Sequence, residues 1–221
     1  MRAALVEFLG ASGARGPAWA SLPRGAAPLV IAGCGGLYGA VMASHGGVWG
    51  DRAWMVLYGA VKVPLLFLAT MLLAIPCFYV LNLLSGVGDD FRRVWSRLVD
   101  YQLSVALQLA ALAPTALLIN LTSDSRVAQL WSTLLFAGTS YNAYQGLTRA
   151  YAPLEQDRPV HRRLRRAWMG LYAFIGVQMG WDLRPFFGSP TMPVAFFRDE
   201  IGNAYVEIAR ILWEAVSGGS V

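Results

Sequence analysis

The chain reads as an all-helical, polytopic membrane protein: a transmembrane helical bundle of about five spans with interfacial amphipathic helices. Three observations carry that reading. Of 221 residues, 56% are hydrophobic and only 14% are charged, whereas a soluble domain carries about a quarter charged residues to face water. Eight Trp, nine Tyr and ten Phe suit a chain that crosses the bilayer–water boundary, where aromatic rings concentrate. The apolar residues also fall into runs near the ~20 residues that a helix needs to cross hydrocarbon.

The chain divides into an N-terminal cytoplasmic or interfacial tail (1–27), the helical bundle (28–181), and a proline- and aromatic-rich segment with a C-terminal amphipathic helix (182–221). The tail scatters Arg, Gly and Pro, and its short apolar patch is broken by Glu7, which excludes a signal peptide. The first span runs from Leu29 to about Ser44. Its Gly35 and Gly39 form a GxxxG pair that lets another helix approach closely.

The next apolar stretch, Ala53 to Ser85, is too long for one upright helix. Lys62 and Pro64 are expected to divide it into an interfacial segment (Ala53–Val61) and a second span (Val63–Leu84) kinked near Pro76. Ser85 to Asp100 reads as a turn and a short amphipathic helix on the interface, with Phe91, Val94, Trp95, Leu98 and Val99 at helical spacing between arginines. The third span, Tyr101–Leu121, and the fourth, Val127–Leu147, form a hairpin around a five-residue turn. A basic loop, Arg149–Arg166, leads to a short fifth span, Ala167–Trp181. Pro185, Pro190 and Pro193 exclude a regular helix beyond it. Ile201–Val216 is then an amphipathic helix that spans nothing.

The basic residues are 17 Arg and one Lys. Assigned to alternate sides of five spans, 12 fall on the N-terminal side and six on the other, which sets the N-terminus in the cytoplasm. The expected location is a bacterial inner membrane. The arginines sit in short loops between apolar runs, which points to anionic lipid headgroups and not to nucleic acid.

No nucleophile–base pair, metal cluster or phosphate loop stands out, so no catalytic residue, metal or cofactor is assigned. Cys34 and Cys77 lie inside apolar runs and behave as small hydrophobes. His45 ends a span, and His161 reads as part of a solvated basic face. The candidate positions are polar residues within spans. Ser104, Gln108 and Thr115, on a face with Tyr101, mark the third span; Gln129, Ser132 and Asn142 mark the fourth. Such stripes line a pathway or act as interhelical contacts. Asp182 and Arg184, at the end of the fifth span, are a charged interface anchor or a gate.

From Val63 to about Met179 the layout resembles the Yip family of five-span membrane proteins, in particular its bacterial relatives. The matching features are the apolar helix ending in NLLSGVGDDFRRVWSRLVDY, the hairpin after it, and LWSTLLFAGTSYNAYQGLTRAY. A final helix follows a basic loop. The resemblance implies a five-span bundle. Eukaryotic members bind small GTPases through a cytosolic Asp-Leu-Tyr-Gly-Pro motif. That motif is absent here, so GTPase binding is not implied. The WDLRPFFGSP segment looks like stretches of bacterial membrane proteins without an assigned role. The expected function is non-enzymatic: a scaffold or subunit of a membrane complex or homo-oligomer. The alternative is a channel or transporter lined by the third and fourth spans.

Overall fold

The computed structural model describes residues 24–184, 186–187, 194–197 and 202–217. The N-terminal tail and the three clustered prolines lie outside the described residues. Among the described residues six α-helices follow in order: α1 (Ala27–Ala43), α2 (Ala53–Leu84), α3 (Phe91–Thr122), α4 (Ser125–Asp157), α5 (Val160–Asp182) and α6 (Ala204–Ser217). No strand occurs among the described residues.

Three segments are long and apolar enough to cross a membrane: Ala27–Gly46, Gly50–Leu84 and Gly88–Thr122. The burial pattern agrees with an integral membrane protein. Leu72, Leu84, Leu121 and Leu130 point outward, whereas Lys62, Asn82, Gln102, Asn120 and Arg165 are buried. Water-soluble proteins arrange these residue types the other way.

Several expected boundaries move. Residues 53–84 are one helix of 32 residues, which runs through both Pro64 and Pro76, so Lys62 and Pro64 do not divide it. Lys62 is fully buried inside that helix, with Nζ 4.9 Å from the centre of the Phe196 ring. A proline removes one donor from a helix, but packing on neighbouring helices keeps the rest of the ladder intact. The interfacial helix expected ahead of the third span is the first part of α3 itself. Its Val94 and Leu98 are buried in the same core as Leu109 and Ala113 further along, so no break separates them. The expected loop 149–166 is mostly helical: α4 continues to Asp157 and α5 starts at Val160. With that extension the helix has 23 residues, beginning with the basic stretch Val160–Arg166.

The helix ends have local causes. Past α2, Gly86 adopts φ 71°, while its N–H bonds Leu83 O and the Val87 N–H bonds Asn82 O. This paired closure needs a left-handed residue, which glycine supplies. Asp124 caps α4 by accepting from the Val127 N–H at 2.8 Å. The α6 start is anchored on α5: Gln178 Oε1 accepts from the Ala204 N–H at 3.0 Å, and the Phe174 and Tyr205 rings stack 4.3 Å apart.

Consecutive helices run antiparallel, but neighbours in space are not always neighbours in sequence. α1 packs between α2 and α3, α4 lies along α3, and α5 packs on the other flank of α2. The ends of α4 and α5 close the circuit. α2 and α3, joined by a short turn, barely touch. They face each other across the ring.

Candidate functional site

Gly35 and Gly39 pack inside the chain. A Cβ on Gly35 would stand 3.3 Å from the Phe67 ring, and one on Gly39 would collide with the Gly59 carbonyl. Gly59 faces Gly39 reciprocally. The GxxxG pair therefore holds α1 against α2, two elements of one chain, at a backbone approach that only glycine permits.

The polar stripes separate. Gln108 Nε2 donates to the Ser104 Oγ at 2.9 Å, and Asn142 Nδ2 donates to Gln108 Oε1 at 2.7 Å. Ser104, Gln108 and Asn142 thus form one contact across the α3–α4 hairpin, of a kind worth about 0.6 kcal/mol in membrane bundles. Ser132 is buried, and its carbonyl accepts from the Tyr38 hydroxyl of α1 at 3.4 Å. Thr115 and Gln129 are exposed on the outside of the bundle.

Asp182 and Arg184 are not brought together: among the described residues no ion pair joins them. Asp182 accepts from Gln178 Nε2 at 3.0 Å, one helical turn back. The Arg184 guanidinium lies 3.2 Å from the centre of the Trp181 ring, a cation–π contact.

The two ends of the bundle differ in charge. At one, His45 Nδ1 faces the Asn120 carbonyl at 3.0 Å and Nε2 faces Ser125 Oγ at 2.9 Å. Asn120 Nδ2 in turn donates to the Val41 carbonyl at 2.6 Å. This histidine ties the ends of α1, α3 and α4. At the other end lie the helix ends that carry Arg92, Arg93, Arg97 and Arg149 and, past Arg158 in the turn, Arg162, Arg163, Arg165 and Arg166. Asp90 takes contacts from Arg93 and Arg158, each at 3.7 Å, and from His161 Nε2 at 3.2 Å. His161 is buried, not part of a solvated face. Glu155 accepts from Arg162 Nε at 3.1 Å and Arg165 Nε at 2.9 Å. Arg165 Nη1 also donates to the Tyr144 hydroxyl and Thr148 Oγ1. Burial raises the Glu155 carboxyl, but the hydrogen bonds and charge of Arg165 and Arg162 outweigh it and hold the group below its ordinary value.

Between α2, α3, α4 and α5 lies a partly open cavity of about 250 Å³. Its lining includes Thr70, Tyr101, Gln102, Phe136, Ser140 and Tyr172. Tyr172 donates its hydroxyl to Gln102 Oε1. Of these six residues sequence reasoning found two, Tyr101 on the stripe of the third span and Phe136 on that of the fourth. Gln102 escaped because it sits one position off the third-span stripe, and only the placement of α5 turns it inward. The Glu155–Arg165 contact was missed as well, because 149–166 reads as a loop; the helical spacing of Arg162 and Arg165 was the signal that could have found it.

Among the described residues no group of His, Cys, Asp or Glu is placed to hold a metal ion. No family model, curated protein or solved structure matches this chain.

Proposed function

We propose that this protein is a non-enzymatic, five-span subunit or scaffold of a membrane complex. It sits in a bacterial inner membrane with its N-terminus in the cytoplasm, and it joins a neighbouring transmembrane helix through the outer face of α4. Five crossings are supported by depth: α4 lies along α3, and α5 along α2, both of which are apolar enough to span. The Arg-rich end then meets the cytoplasmic leaflet, whose anionic headgroups attract such residues.

The observation that carries the proposal is the outer face of α4. Leu130 and Leu134 suit lipid, but the same face exposes Gln129, Thr133, Tyr141 and Asn142 beside Ala137, Gly138 and Gly146. Exposed polar side chains at bilayer depth are costly against hydrocarbon and favour a protein neighbour. A Cβ at Gly138 or Gly146 would meet nothing within 4 Å, so a second helix has room to approach closely. The Yip-like order of hairpin, basic segment and final helix fits a scaffold of this kind. A pathway along the hairpin draws no support, because Gln108 and Asn142 bond each other and Thr115 and Gln129 face outward.

Photo-crosslinking in native membranes tests the reading. A crosslinker at position 138 yields a discrete protein adduct, while one at Leu72, on the lipid-facing side of α2, does not. Lipid adducts alone from position 138 would overturn it.

A further inference from the structure

The cavity inside the helix ring has a chemistry of its own. We propose that it binds a planar, membrane-soluble carbonyl compound of the quinone class, entering laterally from the bilayer. This does not depend on the α4 contact.

The walls are aromatic. Phe67 and Phe136 stack with centroids 5.8 Å apart, and Tyr101 and Tyr172 meet edge to face at 5.9 Å. Rings with this mixture of faces and edges favour another flat ring. Two polar groups among the walls have no partner: Thr70 Oγ1 and Gln102 Nε2. Both side chains are almost wholly buried, at 2% and 1% exposure. An unpaired donor in such a place costs about 1–3 kcal/mol, and at bilayer depth little water is present to relieve it.

The orientation of the amide is set by its partner. Tyr172 donates to Gln102 Oε1, which leaves the NH2 end as the free group. That end can only donate, and Thr70 Oγ1 can donate as well. The complementary ligand is therefore an acceptor, with oxygens on a flat apolar body. A carbonyl-bearing ring meets that description. A plain acyl chain does not, because it has no acceptor at this depth.

Access follows from the rim. Ala173 and Val177 of α5 line the cavity and are also exposed on the outside of the bundle. Gly176 lies between them, and a Cβ there would stand 3.6 Å from Thr70 Cγ2. A larger side chain at that position enters the cavity without displacing backbone.

The test uses the full-length chain in detergent, titrated with a benzoquinone carrying a decyl tail. Tryptophan fluorescence is the readout, since Trp168 packs on Tyr172 with ring centroids 4.9 Å apart. Saturable quenching is expected. Thr70→Val, nearly isosteric, and Gln102→Leu each weaken binding by about tenfold, the loss of one good hydrogen bond. Gly176→Leu abolishes saturation while the melting temperature stays near that of the parent. Three results would each overturn the proposal: quenching that never saturates, equal affinity in Thr70→Val and Gly176→Leu, or equal binding of decylbenzene, which has the ring and tail but no carbonyl.

Discussion

Gly39 and Gly59 meet backbone to backbone, and their position decides what substitution does. A side chain at 39 collides with the Gly59 carbonyl and with Val63 Cγ2, only 2.9 Å from the added Cβ. Backbone cannot yield as a flexible side chain does, so Gly39→Leu destabilises the bundle by at least the ~1–3 kcal/mol typical of overpacking. Gly138 is the control, because a Cβ there meets nothing within 4 Å. Gly138→Ala leaves the chain as stable as before or gains up to about 1 kcal/mol from reduced backbone freedom. Thermal denaturation of both variants in one detergent checks the contrast; equal melting points would show that the α1–α2 contact does not limit stability. The same scale explains why single residues misled the sequence reading. Lys62 looks like a break in an apolar run, yet it is buried in an unbroken helix with its ammonium over Phe196. Nothing in the local sequence brings position 196 to position 62.

At the scale of elements, the joint between α4 and α5 depends on charge. Arg158 and Pro159 form the whole turn, and Glu155 bridges it to Arg162 and Arg165. The folded-state value of Glu155 is depressed, so an unfolded chain binds more protons at that site as pH falls. The stabilisation is present above the ordinary value of 4.5 and is lost as pH drops through the lower folded one. Melting temperature therefore falls with acidification below about 4.5, and Glu155→Gln flattens that part of the profile while lowering stability at neutral pH. A profile unchanged by the substitution would remove Glu155 from the account. This element was misread as a loop because arginines so close together suggest a solvated stretch. In the fold they alternate between exposed positions, such as Arg163 and Arg166, and Arg165, which is buried beneath Tyr144 and Thr148.

At the scale of the molecule, antiparallel succession places the turns at 85–90 and 158–159 on one side and those at 44–52 and 123–124 on the other. The proposed five crossings put the arginine-rich side in the cytoplasm, which is an expectation that labelling tests. In a background without Cys34 and Cys77, Arg126→Cys is then labelled by an impermeant maleimide in intact cells. Arg158→Cys is labelled only after the membrane is permeabilised. The reverse pattern would invert the orientation, and labelling of both on one side would remove a crossing.

The sequence by itself determined the solvent and the helical class. These depend on composition and on local runs, where each residue bears its own cost of meeting hydrocarbon or water. It also identified a glycine pair suited to close helix contact, and polar positions able to bond across a hairpin. Only the tertiary structure decided that α2 and α3 are continuous helices, that Gly39 is consumed against Gly59 within the chain, and that Gln108 pairs with Asn142. It alone shows α2 and α3 standing apart around a cavity with Gln102 and Thr70 in its wall. Those features arise where residues far apart in sequence meet, and helical periodicity, which repeats every few residues, holds no record of which faces come together.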